Sequence, residues 1–121
     1  MGKIKRILLT LCIPLVALTS CATYYQKEGV FQNGYSDYRV GENRFVVSFH
    51  ANEFTPQEKV MEYVLKRASD LTVKNGWSYF SIIEQKDLYY PSVRIMIECY
   101  HQAPAARPSI YAPDFLALHR N

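Results

Sequence analysis

The sequence predicts an α+β fold in which one long helix packs on a three-stranded, mostly antiparallel sheet. Two observations lead to this prediction. Apolar residues alternate along three segments, as in half-buried strands, and they recur at helical spacing along a fourth. The helical segment follows the first strand, so the order is β-α-β-β. With 121 residues, 49% of them hydrophobic and 21% charged, the chain has the length and composition of one small globular domain.

The first predicted strand and the helix are adjacent in the chain. The strand covers residues 44–51, where one side is apolar: Phe45, Val47 and Phe49. The helix begins at Thr55-Pro56-Gln57-Glu58, since Thr55 can cap an early amide, Glu58 can reach back to that cap, and Pro56 suits the first helical position. It runs to about Lys74, and Asn75-Gly76 ends it. Its apolar stripe contains Val60, Met61, Val64, Leu65, Ala68 and Leu71.

Two further strands are predicted at residues 79–85 and 93–101. The last is the most apolar and is therefore expected in the middle of the sheet, with Val93, Ile95, Ile97 and Cys99 facing the helix. The opposite face of the sheet would show Val46, Met96 and Tyr100 among polar neighbours. Either the C-terminal tail or a partner could cover that face.

Four regions follow from these predictions. Residues 1–20 form a leader, residues 21–33 a short tether, residues 34–102 the globular domain, and residues 103–121 a tail rich in Pro and Ala. Pro113 could open a last short helix in the tail.

The leader has the three parts of an export signal. Lys3, Lys5 and Arg6 provide a positive start, and the largely apolar stretch Ile7–Leu18 is too short to span a bilayer. Leu18-Thr19-Ser20-Cys21 then resembles the lipobox of bacterial lipoproteins. The resemblance implies cleavage between Ser20 and Cys21 and a diacylglycerol on the Cys21 thiol, with acylation of the new amino group. The alternative is an ordinary signal peptide, or a short membrane anchor, that ends in cysteine.

The expected location follows from the lipobox and from charge. The residue after Cys21 is Ala22 and not an aspartate. In Gram-negative cells this pattern resembles the signal that sorts lipoproteins to the outer membrane, where they face the periplasm. Three of the 14 basic residues lie in the leader, which leaves 11 basic residues against 11 acidic ones. A neutral domain has no electrostatic reason to bind nucleic acid, so none is expected as a partner.

No catalytic residues, metal ligands or cofactors are predicted. His50 and His101 fall on opposite sides of their strands, and Cys99-x-His101 supplies only two of the four ligands of a closed metal site. Cys99 is the only ordinary thiol after lipidation and cleavage, so no disulfide forms within the mature chain. It is expected to be a buried strand residue, with a reactive thiol or an intermolecular bridge as alternatives.

Four segments together resemble a family of small bacterial lipoproteins: Gly34-Tyr35-Ser36-Asp37, Asn43-Arg44-Phe45-x-Val47-x-Phe49, Arg67-Ala68-Ser69-Asp70-Leu71-Thr72 and Gly76-Trp77-x-x-Phe80. The likeness covers residues 34–83 and the lipobox. The chain departs from the family pattern at Ser69 and Asp70, where Ala and Glu are usual. The resemblance implies a location in the cell envelope and a fold, and it implies no activity.

Arg67 is the one residue of these segments that folding alone does not explain. Beside Asp70 it could pin the helix to the Gly34–Asp37 segment through a charge-assisted hydrogen bond, so Arg67, Asp70 and Asp37 are expected to make structural contacts. A solvated charge and a ligand contact are the alternatives.

Three functions are compatible with the sequence. The favoured one is a non-catalytic envelope protein, anchored to the membrane by lipid, that binds another envelope component, most readily a protein. The second is a binding module for glycan or peptidoglycan fragments that uses the tyrosine-rich turns, since the chain has 10 tyrosines. Rings near the tether could equally rest at the membrane interface, or simply fill half-buried positions. The third, an enzyme, has no supporting motif. The oligomeric state stays open.

Overall fold

The computed structural model describes residues 22–29 and 33–120, so the leader and Cys21 lie outside the described residues. The elements in chain order are β1 Gly34–Arg39, β2 Arg44–His50, α1 Gln57–Lys74, β3 Tyr79–Asp87, β4 Val93–Tyr100, β5 Ile110–Tyr111 and α2 Ala112–Leu118.

Within the described residues the strands form one five-stranded antiparallel sheet in the order β1-β2-β4-β3-β5. The α+β class, the β-α-β-β core and the central position of β4 are confirmed. The three-stranded sheet is wrong, because β1 and β5 add to it. The long helix is not the only one, because α2 forms where Pro113 was expected to open a short helix. β1 is a polar edge strand with no apolar alternation, and β5 is only 2 residues long. Neither gives a strand signal in the sequence.

The core lies between α1 and one face of the sheet. Val60, Val64 and Ala68 of α1 have no exposed surface. They pack against the inward residues of the strands: Phe45, Val47, Phe49, Phe80, Val93, Ile95, Ile97 and Cys99. Burying one large apolar side chain of this kind stabilises a fold by about 1.5–3 kcal/mol. The apolar stripe read from the sequence is therefore the contact that organises the domain.

The two ends of α1 differ from each other in how well the sequence predicts them. At the C-terminus the prediction is confirmed: Gly76 has a φ of +86°, and the Trp77 amide donates to Thr72 O at 2.9 Å. At the N-terminus the predicted cap is wrong. Pro56 occupies the cap position, and no side chain caps the helix. The Thr55 hydroxyl instead binds other segments, as described below.

The C-terminal tail covers only one margin of the open sheet face. The Ser81 hydroxyl donates to Pro108 O at 2.8 Å, and β5 then pairs with the edge of β3. The chain next turns to the other side of the sheet, where α2 packs on α1. The tail is thus a partial cover, and the part of the open face around Tyr38 and Met96 stays accessible.

The segment predicted as a tether is packed on the domain over residues 22–29. The Tyr35 amide donates to Gln26 O at 2.6 Å, and the Glu28 amide donates to Tyr35 O at 2.7 Å. Lys27 and Tyr35 form a parallel bridge, so the segment runs beside β1. Residues 22–29 of the predicted short tether therefore pack on the domain.

Gly34→Ala should destabilise the domain. Gly34 has a φ of +120°, and an added Cβ would overlap the backbone of the N-terminal segment, with Lys27 O at 2.8 Å. We expect a loss of about 1–3 kcal/mol in the free energy of unfolding, measured by urea denaturation. Gly41→Ala is the matched control, since its Cβ would meet only the Arg44 side chain at 3.5 Å. Equal stability of the two variants would contradict the close approach at Gly34.

Candidate functional site

The N-terminal segment is fixed to the turn between β2 and α1 by two hydrogen bonds, and a third bond lies within that turn. The Thr23 amide donates to the Thr55 hydroxyl at 2.8 Å, and the Asn52 amide donates to the Thr23 hydroxyl at 3.0 Å. The Thr55 hydroxyl in turn donates to Asn52 Oδ1 at 3.0 Å. Thr23 is buried in this network. A residue two positions after Cys21 is therefore held by the folded domain.

Tyr25 continues this attachment along the gap between α1 and β1. Its ring stacks on Tyr35 with centroids 5.1 Å apart, and its hydroxyl donates to Asp70 Oδ2 at 3.0 Å. Burial, followed by the charge of Asp70, raises the pKa of the Tyr25 hydroxyl well above its usual value. The hydroxyl therefore stays protonated and serves as a hydrogen-bond donor.

Arg67 and Asp37 form an ion pair between α1 and β1. Arg67 Nε donates to Asp37 Oδ2 at 2.6 Å, and the guanidinium lies 4.4 Å from the Tyr35 ring centroid. Both side chains are mostly buried. Burial is the largest single effect on Arg67 and works against its charge. The hydrogen bond and the charge of Asp37, together with Tyr35 and Tyr25, outweigh it, so the pKa of Arg67 is raised. The contact expected between Arg67 and the Gly34–Asp37 segment is present, while Asp70 serves Tyr25.

A groove of about 630 Å³ borders this ion pair. Three cationic and two anionic side chains line it together with Tyr35: Lys27, Arg67, Lys74, Glu28 and Asp37. The ion pair already satisfies Arg67 through Asp37. The Tyr35 ring already contacts Tyr25 and Arg67, so a bound ligand would be held mainly by Lys27 and Lys74.

The open face of the sheet carries a row of side chains that crosses four strands. Tyr38 of β1 pairs with Val46 of β2, Val46 pairs with Met96 of β4, and Met96 pairs with Glu84 of β3. Val46 is buried beneath its neighbours, and Tyr38 is 56% exposed. With Lys86 and Arg94, which flank it, the row forms a shallow groove of about 200 Å³. We call this row and its flanking charges the open-face groove.

A second polar cluster lies on the same face next to the tail. Glu98 accepts a bond from the Tyr100 hydroxyl at 2.5 Å and one from Arg44 Nε at 2.6 Å. The bond from Tyr100, followed by the bond from Arg44, lowers the pKa of Glu98 below its usual range. The carboxylate is therefore ionised and has its own donors at neutral pH.

The histidines are far apart, as the strand pattern predicts. His50 ends β2 beside Glu28, and the His101 ring packs on Trp77 at 4.3 Å beyond the opposite end of the sheet. His119 follows the last residue of α2, with its Nδ1 2.9 Å from Phe115 O. No group of three or more His, Cys, Asp or Glu side chains among the described residues could hold a metal ion.

Cys99 is buried on β4, as expected from its strand position. Burial raises the pKa of its thiol, and the Thr72 hydroxyl lies 3.5 Å from its sulfur. A buried thiol with a raised pKa is an apolar core residue. The structure therefore favours the packing role over a reactive thiol.

Sequence reasoning missed the role of Thr23. Its partners Asn52 and Thr55 lie 29 and 32 residues further along the chain, so no local pattern joins them. The only local hint was Thr55 itself, which the sequence assigned to a helix cap.

Comparisons with protein-family models, with curated proteins and with solved structures gave no match. Among the described residues, no helix has the length and apolarity needed to cross a bilayer.

The Arg67–Asp37 pair should contribute to stability more than an exposed pair does. Arg67→Met or Asp37→Asn should each lower the free energy of unfolding by about 1.5–3 kcal/mol, since each leaves a partly buried charge without its partner. The double variant should lose less than the two single losses together. Lys59→Met, which removes the exposed Lys59–Glu62 pair, is the control and should cost about 0.5 kcal/mol or less. Additive losses would show that the pair does not act as a unit.

The lowered pKa of Glu98 predicts that the contribution of this residue to the free energy of unfolding depends on pH. Because its pKa is lowered on folding, its contribution is present above the unfolded value of about 4.3 and is lost as the pH falls through the folded value. Glu98→Gln should therefore be less stable than the parent by about 1 kcal/mol or less at pH 7, and the difference should vanish in acid. Urea titrations at several pH values measure it. A difference that persists unchanged below pH of about 3 would refute the assignment.

Proposed function

We propose that this chain is a lipid-anchored, non-catalytic protein of the bacterial cell envelope, held at the outer membrane facing the periplasm, and that it binds another envelope protein. The observation that carries the proposal is the open-face groove, an apolar row with charged margins on a sheet face that neither helix covers. The anchor places this surface next to a membrane.

Lipid attachment at Cys21 is supported by the sequence of the leader and by the resemblance to small bacterial lipoproteins. One acyl chain holds a protein only marginally at a bilayer, whereas two or three hold it firmly. The burial of Thr23 also limits the distance between the lipid and the domain. Only Ala22 separates Cys21 from a residue that is fixed to the domain. The domain would therefore lie directly against the membrane surface.

The composition of the open-face groove favours a protein partner. Tyr, Met and Arg are enriched at the centres of protein interfaces, and Tyr38, Met96 and Arg94 lie together here. The charges at its margin include both Glu84 and Lys86. A surface with both signs has no preference for a highly charged polymer, and it can match a protein surface of mixed charge.

A second candidate function rests on the groove beside the Arg67–Asp37 pair. Its volume suits a small ligand, and Lys27 and Lys74 could hold the carboxylates that peptidoglycan fragments carry. The tyrosines as a group do not form this site. Tyr25 and Tyr35 stack on each other against the core, Tyr38 lies on the open face, and Tyr89 and Tyr90 lie in the β3–β4 turn.

Cys21→Ser tests the anchor. In a Gram-negative host the parent chain should yield a product of increased mass, with acyl groups on residue 21, that sediments with outer membranes. The Cys21→Ser variant should lack that mass and leave the membrane fraction. A parent product with an unmodified amino terminus would refute the proposal, as would a serine variant that is cleaved and membrane-bound like the parent.

Site-specific photo-cross-linking tests the partner. A photoreactive amino acid at Tyr38 or Met96 in the full-length chain should give one discrete protein adduct in cells. The control carries the same amino acid at Val73, an exposed position on α1 away from the groove. Adducts that are identical from Tyr38 and Val73, or none from the groove, would count against protein binding. Retention on purified muropeptides that Lys74→Gln abolishes would favour the second candidate.

A further inference from the structure

Three separate segments meet at one end of the domain. The Thr23 hydrogen bonds join the N-terminal segment to the turn between β2 and α1. The Ala51 amide in that same connection donates to the Ser92 hydroxyl at 3.0 Å, which joins it to the turn between β3 and β4. We call this region, formed by residues 22–24, 51–55 and 88–92, the anchor end.

The anchor end exposes four aromatic side chains. Tyr24 is 58% exposed, Phe54 63%, Tyr89 93% and Tyr90 65%. Each of the three segments contributes at least one ring. None of these rings belongs to the core cluster, so core packing does not account for them.

We propose that the anchor end is a membrane-seating surface: Tyr24, Phe54, Tyr89 and Tyr90 enter the headgroup region of the bilayer that holds the Cys21 lipid. This inference rests on the proposed lipid anchor and goes further, because it assigns an orientation to the domain. The lipid attachment point lies at the same end as the rings, since Thr23 is fixed there and Cys21 precedes it by two residues.

The chemistry of the four rings suits this environment. Tyrosine is enriched where a membrane meets water, because its ring is apolar and its hydroxyl can reach the headgroups. Phe54 supplies a purely apolar ring. With Cys21 so close, the acyl chains would hold the rings at the bilayer, so each ring need add little free energy of its own. A bilayer is therefore the occupant that the anchor itself delivers.

An orientation of the open face follows. α1 starts at the anchor end and runs away from it, and Trp77 lies beyond its far end. β2 and β3 end at the anchor end, and β4 begins there. With the strands directed toward the bilayer, the open-face groove would face sideways along the membrane. Its partner would be a neighbouring protein at the same surface.

Depth-dependent fluorescence quenching tests the seating. Full-length parent, Tyr89→Trp and Tyr38→Trp are each expressed, purified after processing, and inserted in vesicles of phosphatidylethanolamine and phosphatidylglycerol with brominated acyl chains. Tyr38 is the matched control, since it is an exposed tyrosine on the open face, at 56% exposure, away from the anchor end. Intact mass is measured on every sample, and circular dichroism checks that each variant folds. Trp77 provides the same background signal in all three proteins.

The fluorescence added by Tyr89→Trp should fall about twofold or more in brominated vesicles, while the parent and Tyr38→Trp should change little. Acylated protein in which neither added tryptophan is quenched would overturn the seating surface and leave the anchor standing. Equal quenching of both would also overturn it, because the domain would then have no fixed orientation. A parent without acyl mass would refute the anchor, and the seating surface with it.

Discussion

α1 and the sheet share a contact in which Val60, Val64 and Ala68 lose all their exposed surface against β2 and β4. This contact commits one face of the sheet to the core and leaves the other without a helix. Because side chains alternate along a strand, the residues between the core positions must then face outward. Val46 and Met96 are placed on the open face for that reason.

The N-terminal segment closes the domain on the side where α1 meets the edge strand. Tyr25 fills the gap between them and bonds to Asp70, while Arg67 bonds to Asp37. These groups are partly buried, where an unpaired polar group is costly, and each has its partner. The segment that follows Cys21 is therefore part of the folded unit. Force or motion at the proposed Cys21 anchor would act directly on the domain.

If Cys21 carries lipid as proposed, the domain would lie close to its anchor, which would limit what the protein can reach. A long flexible linker would let a domain search a large volume, and the short chain between Cys21 and Thr23 does not. On this proposal, partners would have to come to the membrane surface. A surface of mixed charge and a neutral domain suit short-range recognition by shape and apolar contact, with little long-range electrostatic attraction.

The sequence by itself determined the elements whose signal is local. The stripe of α1, its end at Gly76 and the alternation in β2 and β4 are written in consecutive residues, and the centre of the sheet followed from the apolarity of β4. The contact of Arg67 with the Gly34–Asp37 segment could also be predicted from the sequence, because a guanidinium on a helix beside the core needs a partner.

Tertiary structure alone decided the rest. β1 forms because β2 offers it backbone partners, although its own residues are polar. The Thr55 hydroxyl accepts a bond from the Thr23 amide and does not cap α1, and no local rule anticipates a partner 32 residues away. Hydrogen bonds between distant segments likewise bring Tyr24, Phe54 and Tyr89 to one end of the domain. A sequence pattern records what a residue prefers, and only the folded chain decides which neighbours compete for it.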